Sequence, residues 1–141
     1  MLDEIFFLLI AEDDADDREI VKFVIKQNFP DWQYYIATNG QALLDYLSNR
    51  PPGLPLISLI MLDINMPIKN GIETVDELRT IPLYKDIITV GFSTSDQDWV
   101  KNEFIEAGGD EFFQKPNEIV QYEKILSLLP EMVSSARKMN R

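Results

Sequence analysis

The 141-residue chain contains no cysteine and no histidine. The first absence excludes disulfides, thiolate metal sites and a cysteine nucleophile. The second removes the commonest general base and the commonest transition-metal ligand. Any metal bound here must be held by oxygen, which points to magnesium, calcium or manganese. Basic residues are scarce as well: 13 Lys and Arg stand against 24 Asp and Glu, a formal charge of −11. A sequence-independent grip on nucleic acid needs clustered cations. The one basic group, Arg137, Lys138 and Arg141, reads as a helix end or a solvated tail. The acidic excess favours divalent cations and basic partner surfaces instead. Long apolar runs are also missing. Ile5 to Ala11, the longest, has seven residues, against the roughly 20 of a membrane-spanning helix. It follows Asp3 and Glu4 rather than the basic stretch of a signal peptide. The expectation is a cytoplasmic protein that uses neither membrane nor nucleic acid as a partner.

What is present is ordinary for a globular fold: 45% hydrophobic and 26% charged residues, in a length that suits one domain. Short apolar runs alternate with segments of helical period. Ile5–Ala11 reads as a strand covered on both faces. Ala15–Asn28 follows as a helix with Ile20, Val21, Val24 and Ile25 on one face. Asp14, Asp16 and Asp17 stand at its start, where the helix dipole favours negative charge, and read as capping or solvated residues. Trp32–Thr38 is a mixed strand suited to an edge. A helix over Gln41–Ser48 places Ala42, Leu43, Tyr46 and Leu47 together. The three prolines of Arg50–Pro55 require a loop. Leu56–Leu62 reads as a buried strand, Asn70–Thr80 as a helix, Ile87–Phe92 as a strand and Asp96–Ala107 as a helix ended by Gly108-Gly109. Glu111–Gln114 is a short fifth strand. A last helix from about Asn117 turns Ile119, Tyr122, Ile125, Leu126 and Leu129 inward, and Pro130 is expected to kink or end it before a short extension.

Five strands alternating with five helices imply an open parallel sheet with helices on both faces, whose ligands bind beyond the carboxyl ends of the strands. Glu12, Asp13 and Asp14 follow strand one, Asp63 strand three, Ser93-Thr94-Ser95 strand four and Lys115-Pro116 strand five. With strands one and three adjacent, Glu12, Asp13 and Asp63 meet, and such a cluster of like charges calls for a cation. Magnesium fits, taking one or two carboxylates together with phosphate oxygens. Lys115 and the Ser93 hydroxyl would then serve phosphoryl oxygens, and Asp63 would be the nucleophile of an acyl phosphate.

This set resembles that of response-regulator receiver domains: an acidic pair after strand one, Asp63-Ile64-Asn65-Met66-Pro67 after strand three with Asn70-Gly71 beyond it, Ser93, and Lys115-Pro116. The spacings of 30 residues from Asp63 to Ser93 and 22 from Ser93 to Lys115 are similar to the family's, and the likeness runs from about Ile5 to Leu129. It implies a flavodoxin-like α/β fold of strand order 2-1-3-4-5. It implies that Asp63 accepts phosphate from a phosphohistidine on a sensor histidine kinase. It implies magnesium bound by Asp13, Asp63 and the Asn65 carbonyl, with Glu12 acting through water, and phosphoryl oxygens bound by Ser93 and Lys115. Phe112 falls at the position of a switch aromatic that turns inward when Ser93 moves.

Glu12-Asp13-Asp14 offers two acidic pairs, and aligning Arg18 with the family's first helix favours Glu12 and Asp13 over a pair containing Asp14. The proline-rich loop at Arg50–Pro55 resembles stand-alone regulators that pair with phytochrome-like kinases. Phe112 replaces the commoner tyrosine, so no phenol hydroxyl reports on the switch. Residues 1–141 read as one receiver domain, with a core of about 5–129 and a helical extension after it. The output is then protein contact through helix four, strand five and helix five, to a downstream target or a homodimer. A phosphohydrolase using Asp63 is the rival reading, but Asn65 stands where such enzymes carry a general acid.

Overall fold

The computed structural model describes residues 5–139; Asp3, Glu4 and Arg141, named above, lie outside the described residues. The apolar runs form strands β1 (Phe7–Ala11), β2 (Gln33–Ala37), β3 (Leu59–Asp63), β4 (Ile88–Ser93) and β5 (Glu111–Gln114). Between and after them lie helices α1 (Ala15–Asn28), α2 (Gly40–Asn49), α3 (Gly71–Leu78), α4 (Asp98–Glu106) and α5 (Ile119–Met139). The sheet order is β2-β1-β3-β4-β5 with every pair parallel, the flavodoxin-like order that the family resemblance implies.

Strand side chains alternate between faces, so each strand feeds two cores. Leu9, Ala11, Ile60 and Leu62 pack beneath α2, α3 and α4, against Leu43, Leu47, Val75, Leu78, Val100 and Phe104. Leu8, Ile10, Leu59, Met61, Val90 and Phe92 pack on the other face, against Val21, Val24 and Ile25 of α1 and Tyr122, Leu126 and Leu129 of α5. Burial on both faces is why β1 and β3 are unbroken apolar runs. A one-residue slip would exchange the two sets, so the register that brings the strand ends level is strongly held. β2 lies at the edge, where Gln33, Tyr34 and Tyr35 are exposed, in line with its mixed composition.

Polar caps fix where the helices start. Asp14 caps α1 and Asn39 caps α2, while Asn70 and Glu73 form a capping box on α3. α4 ends as the glycines require: Gly108 takes φ +119°, and the Gly109 amide donates to the Phe104 carbonyl at 3.0 Å. The Phe104 ring lies over Gly91 and Gly109, where an added Cβ would stand 2.9 and 2.1 Å from it. Neither position has room for a side chain.

Two expectations need correction and a third is narrowed. β3 begins at Leu59 rather than Leu56; Leu56 is exposed, and the pairing opens where the Ser58 amide donates to the Phe7 carbonyl. Ile119 is exposed rather than inward. Of the two outcomes expected at Pro130, a kink or an end, the helix does not end there and continues to Met139. A proline inside a helix forfeits a hydrogen bond and costs about 3 kcal/mol, but Leu129 and Val133 on either side of it are buried in the core and hold the helix together. The core therefore extends beyond residue 129. Among the described residues, no helix is long and apolar enough to cross a membrane.

Candidate functional site

The register of the sheet delivers the chemistry to one edge. Leu62 is level with Ala11, so Asp63 at the end of β3 stands beside Glu12 and Asp13 just past β1. The Glu12 amide donates to the Ala37 carbonyl at 2.9 Å, which pins the acidic turn to the neighbouring strand. Glu12 and Asp63 are buried and Asp13 is exposed. One carboxylate oxygen from each of the three lies within 4.8 Å of the others. Asp14 points elsewhere: its carboxylate accepts from the Asp17 amide at 3.0 Å as the α1 cap. The three clustered groups are hard oxygen donors with no nitrogen or sulfur among them, and they fit a small divalent cation.

Lys115 enters from the β5–α5 turn. Its amide donates to the Ser93 carbonyl at 2.7 Å, so the ends of β4 and β5 are tied together. Its ammonium lies 2.8 Å from Glu12, 2.7 Å from Asp17 and 3.5 Å from Asp63. The Lys115 side chain is 9% exposed, so these contacts are partly shielded from solvent. Asp17, read from the sequence as a solvated helix-start residue, is thus a member of the site. An acidic residue in a first helical turn is so common that it gives no signal by itself. Only the tertiary closeness of α1 to the β5–α5 turn reveals it.

Burial, followed by the hydrogen bond and charge of Glu12, pushes the Asp63 carboxyl up to about 8, against the opposing pull of Lys115. Burial also lifts Asp17 above the usual carboxylate range, although Lys115 pulls it down. Burial disfavours the Lys115 ammonium, but hydrogen bonds to Asp17 and Glu12 outweigh it and hold the lysine above its ordinary value. Beneath the cluster, the Tyr122 hydroxyl is buried without a hydrogen-bond partner among the described residues. Its own burial, then the charge of Asp17, raises it well above the usual phenol range.

The remaining predicted residues lie in β4, β5 and the β3–α3 loop. Ser93 ends β4 fully buried, and its hydroxyl accepts from the Ser95 amide at 3.1 Å. The Asn65 amide donates to Asp63 at 3.3 Å. Phe112 is half-buried and tilted against Phe104, with ring centres 6.2 Å apart, on the α4 side of the sheet. Sequence reasoning missed one further feature. Ile68, in the β3–α3 loop, has φ +70° and is 80% exposed. The Lys69 amide donates across it to the Pro67 carbonyl at 2.7 Å, which makes a γ-turn of the strained, positive-φ kind.

Residues 8–127 match the family model of the response regulator receiver domain. The chain is similar to response regulator Rcp1 of Synechocystis, with 32% identity over 90 residues, 62% of this chain and 61% of that protein. It is 31% identical over 112 residues to a protein-glutamate methylesterase/protein-glutamine glutaminase of Desulfotalea psychrophila, covering 79% of this chain and 29% of that one. It therefore spans less than two thirds of either protein. Among solved structures, the Mn(2+)-bound form of Rcp1 superposes with TM-score 0.73 at 26% identity, over 85% of this chain and 88% of that one. The phosphorylated cyanobacterial phytochrome response regulator RcpA superposes with TM-score 0.80 at 19% identity, over 91% and 96%, a likeness of fold.

Proposed function

The chain belongs to the response-regulator receiver family, and from that premise we propose that it is a signalling switch that carries a phosphoryl group on Asp63. Response-regulator receiver domains are phosphorylated by histidine kinases. The observation that carries the reading is the buried Asp63 carboxylate at the end of β3, with the acidic pair and the Lys115 ammonium gathered beside it. In the proposed step an Asp63 oxygen attacks the phosphorus of a phosphohistidine. The O–P bond forms as the P–N bond breaks, and the imidazole leaves with a proton from solvent. Glu12, Asp13, Asp63 and the Asn65 carbonyl would hold magnesium, which supplies charge neutralisation at the phosphoryl oxygens. Lys115 and the Ser93 hydroxyl bind those oxygens.

Ser93 gives up its Ser95 contact to reach the phosphoryl group, and Phe112 follows toward the space it leaves, repacking against Phe104. The readout is the face of α4, β5 and α5, where Trp99, Ile105, Ile119 and Val120 are exposed; it meets a downstream protein or a second copy. Asn65 and Ser95, two places beyond Asp63 and Ser93, are small and neutral, which suits an intermediate phosphorylated lifetime. The proline-rich loop at 50–55 supports a phytochrome-like sensor kinase as the donor. Residues 1–141 act as one receiver unit in the cytoplasm, as a switch rather than an enzyme, and the net charge of −11 argues against nucleic acid as the target.

The test is incubation with acetyl phosphate and magnesium, followed by intact-mass analysis. One base-labile phosphoryl group is expected, absent without magnesium and absent from Asp63→Asn. An addition that survives in Asp63→Asn would overturn the reading.

A further inference from the structure

The four carboxylates of the site divide into two groups. Glu12, Asp13 and Asp63 face one another closely enough to share a cation, and Asp17 lies outside that group. Asp17 meets the site through Lys115, at 2.7 Å, the shortest of the three lysine contacts. Its position is fixed from below. The Asp17 amide is bonded to the Asp14 cap at 3.0 Å, and Arg18 beside it donates to the Asp13 and Glu12 carbonyls at 2.8 and 3.2 Å. An N3 acid commonly reaches back to the cap residue's amide. Here the Asp14 amide is taken by the Glu12 carboxylate at 3.1 Å, and the Asp17 side chain is left for the lysine.

An ammonium has three protons to donate. In the present arrangement Glu12 and Asp17 take the two short contacts and Asp63 the long one. A lysine and a divalent cation seek the same carboxylates, Glu12 and Asp63, and like charges held close together repel each other. We propose that Asp17 is a positioning residue for Lys115: it holds the ammonium on the α1 side of the cluster, so that the lysine competes closely for one Glu12 oxygen only and leaves the oxygens of Asp13 and Asp63 open to a divalent cation. When the cation draws Glu12 and Asp63 away from the lysine, Asp17 remains its partner and keeps the ammonium in reach of an incoming phosphoryl oxygen. Without Asp17 the lysine settles between Glu12 and Asp63 and competes with the cation for both. The inference rests on the cation reading proposed above.

Magnesium affinity, measured by titration calorimetry on wild type, Asp17→Asn, Lys115→Met and the double variant, separates this route from a simple field effect. Groups in one charged network couple strongly, so Asp17→Asn is expected to weaken magnesium binding roughly tenfold in the wild-type background. In the Lys115→Met background it should weaken binding by less than about a third of that factor. Asp17→Glu should restore most of the affinity. Equal factors in the two backgrounds would mean that Asp17 acts only through its charge and would overturn the inference, leaving the cation reading intact. Failure of wild type to bind magnesium would overturn both.

A second measurement needs no variant. The Lys115 ammonium, observed by nitrogen-15 NMR, should stay protected from solvent exchange as magnesium saturates the protein, because Asp17 keeps it. Loss of that protection on saturation would overturn the proposal.

Discussion

Lys115 stands 3.5 Å from Asp63 and only 2.7 Å from Asp17, so the ammonium leans away from the carboxylate it is proposed to serve. The arrangement leaves Asp63 buried, short of positive charge and next to Glu12. That imbalance has measurable consequences.

Lys115→Met removes the partner of three carboxylates at once, two of them buried. Breaking such a cluster costs about 3 kcal/mol. Urea denaturation of the magnesium-free protein should show that loss. Saturating magnesium should restore more stability to the variant than it adds to wild type, because the lysine no longer competes for the oxygens. Equal magnesium stabilisation of the two proteins would contradict this competition.

The elevated Asp63 carboxyl carries a pH dependence of definite sign. It titrates near 8 in the folded protein, against about 3.9 in an unfolded chain. Between those values the folded state binds more protons than the unfolded one. Stability from this group is therefore full below about pH 4 and declines as pH rises toward 8. Denaturation of magnesium-free wild type and Asp63→Asn at pH 5 and pH 8.5 should show wild type losing the more stability. Parallel losses would contradict the raised value.

Ile68 stores backbone strain at an exposed position. A β-branched residue at positive φ costs about 1–2 kcal/mol, and asparagine tolerates that conformation far better. Little packing is lost with a side chain 80% exposed. Ile68→Asn should raise stability by about 1 kcal/mol in thermal or urea unfolding. A destabilised variant would show that the isoleucine makes an apolar contact that outweighs its backbone strain.

Tyr122 presents the opposite case, a buried hydroxyl without a partner among the described residues. Leaving such a group unsatisfied costs about 1–3 kcal/mol. Tyr122→Phe should be neutral or more stable by up to about 1 kcal/mol. A clear loss of stability would mean that the hydroxyl is bonded in solution, and Asp17, whose charge acts on it, is the first group to test.

Much of the fold and of the site is legible in the sequence. Unbroken apolar runs at β1 and β3 require burial on both faces, and the alternation with helices makes the sheet parallel, as observed. Glu12, Asp13, Asp63, Ser93 and Lys115 stand out because each follows or ends a strand at the same edge. What the sequence hides depends on contacts between elements far apart along the chain. Asp17 looks like any acid in a first helical turn until α1 is set beside Lys115. Pro130 reads as a kink or a stop, and the stop is excluded only when Val133 is found in the core. Hydrophobic Leu56 and Ile57 resemble strand residues and draw the expected start of β3 too early, whereas the Ser58 backbone is what opens the pairing with β1. The conformation of Ile68 has no sequence signal, since isoleucine is among the residues least suited to positive φ.

Borohydride trapping after treatment with a small phosphodonor and magnesium tests the central claim most directly. Reduction of an acyl phosphate converts the aspartate that carried it to homoserine, which tandem mass spectrometry locates in the peptide. Phosphorylation of Asp63 predicts homoserine at residue 63, dependent on both donor and magnesium. Homoserine at Asp13 or Asp17 instead, or at no position while a phosphoryl group is demonstrably attached elsewhere, would contradict it.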